Sequence, residues 1–228
     1  MMRLVVFIYC LLFVPSGAWA QDEMPMQLLQ RVQASLVEIR TLTTKTVTEA
    51  NGHTEVGSYH TQGSGVILNS YGLIVTNTHI VTGAAHIYVG LPDGKILEAK
   101  LVYSSDADFS FIKVDPPYPL TPIAFADSSS VPVGTSILAL SYDDGDQQHV
   151  LGGAITNLIN GTDSNDVEVL ELNLNLYHGD SGGPVLDAQG QLLGLIMAKT
   201  LSENDKSYAV ASNKIQREYE QYQQNLST

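Results

Sequence analysis

Gly179-Asp180-Ser181-Gly182-Gly183-Pro184 decides between folds, because it can be read in two ways. Read loosely it is a G-x-S-x-G, the nucleophile turn of an α/β-hydrolase, which needs its histidine after the serine. All six histidines, at positions 53, 60, 79, 86, 149 and 178, precede Ser181, so that fold is excluded. An acid-histidine-serine order would sit on alternating helices and strands, a pattern the chain lacks. A His…Asp…Ser order remains. Closely spaced glycines let the backbone turn tightly and turn its N–H groups toward a ligand. A serine there can be both a nucleophile and the neighbour of an oxyanion hole.

Working outward, the periodicity is that of short strands. Residues 35–43 alternate, and 44–59 are Thr-rich around Asn51-Gly52, a two-residue hairpin signal. Strand-like runs follow at 63–68, 73–76, 86–91, 96–103 and 109–114, and again at 136–141, 152–158, 167–176, 183–187, 192–198 and 208–210. Between the two groups, Asp115-Pro116-Pro117-Tyr118-Pro119 cannot sit inside a sheet and reads as a crossover. Helical spacing is confined to the ends. Pro25 to Gln33 reads as one helix, and Ser212 caps a closing helix bearing Ile215, Tyr219 and Tyr222. Many short strands with regular turns imply an all-β sandwich or barrel.

The first 20 residues read as an export leader: Arg3 gives a positive start, Leu4 to Val14 is apolar, and Ala18-Trp19-Ala20 is an A-x-A cleavage site. The apolar run of 11 residues falls short of the roughly 20 that span a bilayer. Cleavage removes Cys10 and Trp19, the only Cys and Trp, leaving no disulfide and no thiol nucleophile. The formal charge of −13 opposes binding to nucleic acid or an anionic membrane. Asp143-Asp144-Gly145-Asp146 lacks calcium-loop spacing and reads as a solvated acidic turn, and no Cys/His cluster suggests a metal or cofactor.

Among the histidines, His79 follows an apolar strand in Thr76-Asn77-Thr78-His79-Ile80-Val81. His53 and His60 lie in the polar hairpin, and His149 in an acidic loop where solvation is expected. His86 is expected to face one side of a strand, and His178 is too close to Ser181 along a tight loop to act as its base.

The stretch from Gly63-Ser64-Gly65-Val66-Ile67 through Tyr71 to Val81 resembles the catalytic-histidine region of the HtrA/Deg branch of trypsin-like peptidases. Ser105-Asp106-Ala107-Asp108-Phe109 resembles the segment holding that family's acid, with Asp108 the match and Asp106 the runner-up. Residues 124–128, 131–134, Gly152-Gly153 and Tyr208 to Ser212 also align, so the resemblance runs from about Arg31 to Ser212. It implies a chymotrypsin-like fold of two six-stranded antiparallel β-barrels. The segments are then a leader at 1–20, a helix at 21–34, barrels at 35–117 and 118–211, and a helix at 212–228. It also implies a serine endopeptidase acting on polypeptides in the periplasm or outside the cell. His79 would be the base, Asp108 its orienting acid and Ser181 the nucleophile, with Gly179 and Ser181 amides as oxyanion hole. Hydrolysis would then rise with pH as His79 loses its proton. Asn175 and Lys199 fall by analogy at the primary substrate pocket. The alternative is a catalytically lapsed protease-fold module that binds or regulates.

Three departures stand out. Asp180 replaces the branch's usual Asn; in digestive relatives this acid pairs with an amino terminus freed by activation, so here it needs another partner. The chain ends 16 residues after its last strand motif, so no PDZ domain is expected, and no oligomeric state follows. Met197 stands where a small or hydroxyl residue is usual.

Overall fold

Alternation of apolar and polar side chains is what puts these segments into sheets: along His86–Gly90, Ile87 and Val89 are buried while His86 and Tyr88 face solvent. The computed structural model describes residues 26–48, 54–143, 147–161, 166–199 and 206–227. Strands β1 (Leu36–Thr48), β2 (Thr54–Ile67), β3 (Leu73–Thr76), β4 (His86–Gly90), β5 (Ile96–Ser104) and β6 (Ser110–Lys113) close a barrel in the order β1-β2-β3-β6-β5-β4. Strands β7 (Ser136–Tyr142), β8 (Gln148–Asn160), β9 (Val167–Leu172), β10 (Pro184–Leu186), β11 (Leu192–Lys199) and β12 (Ser207–Ala211) close a second in the order β10-β11-β12-β9-β8-β7. All these ladders are antiparallel, so the expected double-barrel architecture is present. β1 pairs with β2 from Leu36↔Val66 to Thr48↔Thr54, while the Asn51-Gly52 turn lies outside the described residues.

The helices are α1 (Met26–Gln33), α2 (Thr78–Val81) and α3 (Ser212–Leu226). None among the described residues is long and apolar enough to cross a membrane. The four-residue α2 was not foreseen; it carries His79.

Ile39, Ile67, Ile74 and Ile112 fill the first barrel, and Ile137, Ile155, Leu170 and Leu193 the second. A third cluster belongs to both: Leu36, Val66, Phe109 and Phe111 from one side meet Leu140, Leu186, Leu195 and Val210 from the other, with Ile215 of α3. Each buried side chain of this kind contributes about 1.5–3 kcal/mol, so the interface is a hydrophobic core in its own right. Tyr219 and Tyr222 extend it, their rings 6.2 and 5.7 Å from that of Phe111. The apolar residues expected along the closing helix are thus its packing face. The proline-rich connector is stitched to both halves, with the Ile123 amide on the Ile67 carbonyl and the Leu192 amide on Ala124.

Ser212 does not cap α3. The N-cap is Ala211, because β12 runs into the helix without a loop, and the Ser212 hydroxyl instead donates to the Ala126 carbonyl at 2.7 Å. The helix-start amide of Asn213, which has no partner within the helix, donates to Ser128 Oγ at 3.1 Å, from a segment distant in sequence. Beside it, the Ser129 hydroxyl, the Asn213 side-chain amide and the Ser129 amide donate to Asp127 and hold its carboxyl far below the usual carboxylate range. A depressed folded-state pKa adds stability that is complete above the unfolded value of about 4 and is lost as pH falls through the folded one. Asp127→Asn is therefore expected to lower the urea midpoint modestly at neutral pH, and the gap should shrink in strong acid. Urea titrations at both pH values check it; a gap that widens on acidification contradicts the assignment.

Candidate active site

The β3–β6 pairing ends at Thr76↔Ser110, so the residues just past β3 run alongside those just before β6. That register sets α2 against Asp108. Asn77 Nδ2 donates to the Asp108 carbonyl at 2.8 Å, and the His79 amide donates to Asp108 Oδ1 at 3.1 Å. Asp108 is the one non-glycine among the described residues with positive φ, 55°. Such a conformation costs on the order of 1–3 kcal/mol and persists only where its surroundings over-determine it. Here the Asn77 side-chain amide, the Thr78 and His79 backbone amides and the His79 ring do so.

His79 Nδ1 lies 2.8 Å from Asp108 Oδ2 and 3.1 Å from Oδ1. A carboxylate only accepts, so Nδ1 carries the hydrogen and Nε2 is left with a lone pair. The imidazole is exposed, at 47% of its side-chain surface, and the carboxylate is partly covered, at 29%. Asp106 is exposed and accepts from its neighbour Ser105, so the structure sets Asp108 rather than Asp106 against the ring.

Ser181 belongs to the second barrel but rests on the first. The Ser64 amide donates to the Ser181 carbonyl at 2.8 Å, the Ser64 hydroxyl to the Gly179 carbonyl at 3.3 Å, and the Tyr142 amide to Ser64 Oγ at 2.8 Å. Ser64 is fully buried, and Thr76 Oγ1 donates to its carbonyl at 2.7 Å. Nothing local in the sequence marks this serine, yet it joins both barrels to the turn. A Cβ placed on Gly63 would lie 2.4 Å from Ile80 Cδ1 and 3.1 Å from the Ser181 carbonyl, which shows how closely the α2 end and the serine turn approach. Among the described residues no hydrogen bond joins His79 Nε2 to Ser181 Oγ. Nor do the Gly179 and Ser181 amides donate to a protein acceptor among them, which leaves both free for an incoming oxygen.

Asp180, adjacent to Ser181, is 1% exposed. Ser141 Oγ donates to its Oδ1 at 2.5 Å and the Tyr177 amide to its Oδ2 at 2.6 Å. His149 is not a solvated loop residue: it lies in β8, opposite Ser141, and its side chain is 35% exposed. His86 is an exposed strand residue held by Glu98 at 2.8 Å. Asn175 is exposed, and its side-chain amide donates to the Tyr177 hydroxyl at 2.7 Å. Lys199 ends β11 opposite Ser207, and its side chain is outside the described residues. β10 pairs with β11 only as far as Leu195, with Gly182 and Gly183 continuing to Ile196; beyond a bulge at Met197, Ala198 and Lys199 pair with β12 alone among the described residues.

The chain resembles known proteins in both sequence and fold. The family described as "Trypsin-like peptidase domain" matches residues 63–195, more than half of the chain. A probable periplasmic serine protease, do/HhoA-like, of Haemophilus influenzae is 34% identical over 159 residues, which cover 66% of this chain and 34% of that one. The periplasmic pH-dependent serine endoprotease DegQ of Escherichia coli is 34% identical over 160 residues, covering 66% and 35%. The chain thus spans about a third of the length of these curated relatives. A solved structure of an HtrA-type protease, AlgW with a decapeptide, shares the fold with a TM-score of 0.72 at 21% identity, covering 82% of this chain and 63% of that one. The chain belongs to the trypsin-like peptidase domain family, with its matches in the HtrA/Deg branch.

Proposed function

We propose that this protein is a serine endopeptidase that cuts polypeptides through an acyl-enzyme, with Ser181 as nucleophile, His79 as base and Asp108 as orienting acid. The observation that carries the reading is the His79–Asp108 pair, which leaves Nε2 with a lone pair on a helix whose next residue, Ile80, meets the serine turn around Gly63. Ser181 Oγ attacks the scissile carbonyl while His79 Nε2 takes its proton, and His79 then returns that proton to the leaving amine. Asp108 stabilises the imidazolium formed in between. The Gly179 and Ser181 amides receive the oxyanion, each worth ~3 kcal/mol of barrier. A peptide can lie along the one-sided edge of β11, with Asn175 and Lys199 flanking the pocket for the residue before the cut.

The same reading places the protein in the periplasm or outside the cell, residues 1–20 serving as a cleaved leader, in keeping with the relatives named periplasmic. The missing His79–Ser181 bond is the observation that favours the second reading, a lapsed peptide-binding module. In enzymes without substrate such bonds are often long and tighten on binding. Incubation with a fluorophosphonate decides: the active enzyme is expected to take one label, on Ser181, and His79→Ala should abolish labelling. Peptide binding without label would establish the lapsed module instead.

A further inference from the structure

The notable feature beyond the His79–Asp108–Ser181 set is a buried acid whose neighbours converge from the β7–β8 end. Asp180 is almost fully buried, and its two hydrogen bonds come from neutral donors, Ser141 Oγ and the Tyr177 amide. Neutral donors satisfy a carboxylate's lone pairs without balancing its charge, and a buried charge without a counter-charge is costly. The ionisable nitrogen set against it is His149 Nδ1, 4.0 Å from Asp180 Oδ1. On its other side, His149 Nε2 is 3.1 Å from Asp143 Oδ2. The ring therefore stands between two carboxylates, one buried and one at the surface.

A neutral imidazole carries one N–H and can serve only one of them; the imidazolium serves both. The titratable groups facing the ring among the described residues are Asp143 from the end of β7, Asp180 from the serine turn, and Tyr177, whose ring meets it edge-on at 6.5 Å. Asp143 is itself fixed, its Oδ1 accepting the Gln147 amide at 2.9 Å and its carbonyl accepting Gln62 Nε2 at 2.7 Å.

We propose that His149, braced by Asp143, is a positioning residue: as a cation it holds Asp180, and through Asp180 the turn that aims the Gly179 and Ser181 amides. The inference rests on the endopeptidase reading and deepens it. The transmission is short. The Asp180 carboxylate takes the Tyr177 amide, the Asp180 amide donates to the Tyr177 carbonyl at 3.3 Å, and the Gly183 amide donates to the Asp180 carbonyl at 3.0 Å. Residues 177–183 therefore follow the Asp180 side chain, and Gly179 and Ser181 sit on either side of it. Protonation has opposite consequences at the two histidines. His79 must lose a proton to act as base, whereas His149 must keep one to hold the turn, so kcat rises with pH on one limb and falls on another.

The experiment measures kcat and KM for peptide hydrolysis, with fluorophosphonate labelling rates, as full profiles across about pH 5 to 10. It compares wild type, His149→Gln, Asp143→Asn, Asp180→Asn and the double variant His149→Gln/Asp180→Asn. His149→Gln is expected to lower kcat about tenfold, a fraction of the effect of losing an oxyanion donor, with KM little changed and the falling limb gone. Asp143→Asn should shift that limb to lower pH, since the anion that favours the imidazolium is removed. The double variant should be no slower than the worse single variant, as for residues acting through one contact. A labelled wild type matched by His149→Gln in kcat and falling limb overturns this inference alone, and so does strict additivity. Should His149→Gln not fold, an unmoved falling limb in Asp143→Asn overturns it equally. A wild type that takes no label overturns the endopeptidase reading and this inference with it.

Discussion

Ser181→Ala is expected to lower kcat/KM by on the order of 10⁶-fold while leaving the melting temperature essentially unchanged. The contrast follows from how Ser181 is used. Its main chain is structural, since the carbonyl accepts the Ser64 amide, whereas its hydroxyl makes no hydrogen bond to the protein among the described residues. Removing Oγ therefore leaves the packing intact and deletes only the atom proposed to attack. Residual hydrolysis would come from the oxyanion hole and substrate binding. Steady-state kinetics beside differential scanning calorimetry makes the comparison. Wild-type rates in the variant would mean that another group is the nucleophile.

Gly182→Ala should damage both fold and activity. Gly182 has φ of 82°, and a Cβ there would stand 2.0 Å from the Ser64 carbonyl oxygen and 2.9 Å from Thr76 Oγ1. Neither obstacle is the far end of a flexible chain, so backbone must move, at a cost of about 1–3 kcal/mol. The same movement drags Ser181 off Ser64 and tilts the two free amides, which should slow fluorophosphonate labelling by about 10²-fold. Gly134→Ala is the matched control: its φ is 90°, but nothing lies within 4 Å of the added carbon. It carries the conformational penalty alone and should label at the wild-type rate. Urea midpoints and labelling rates of the two variants, measured together, separate steric from conformational effects. Equal labelling in both would contradict the claim that the Gly182–Ser64 contact shapes the site.

The strands were legible because alternation is a local property. Residues 73–76 are β3 as the apolar run indicated, and the barrel halves divide at the proline connector. The carboxylate facing His79 was legible for a different reason: Asp108 directly precedes an apolar strand, while Asp106 is two residues too early to reach across from β6 to α2. What the sequence hid were relations across space. The Ser212 hydroxyl looked like a helix cap, yet Ser128, 85 residues away from Asn213, does that work. His149 sits among Asp, Gly and Gln, a composition that predicts solvent. Only the β7–β8 register, with Ser141 opposite His149, turns it toward Asp180. Ser64 likewise has no local mark, because its partners Gly179, Ser181 and Tyr142 come from the far half of the chain.

The Ser64 bridge makes catalysis a gauge of how the two halves dock. Backbone atoms of 179 and 181 are gripped by the amino-terminal half, while the residues between and after them are knitted to β7 and β11. A small shear of one barrel against the other must tear this clasp before either hydrophobic interior is wetted. On heating, turnover should fail ahead of the loss of β-sheet, and two halves severed within the connector should regain turnover only in proportion to their reassociation.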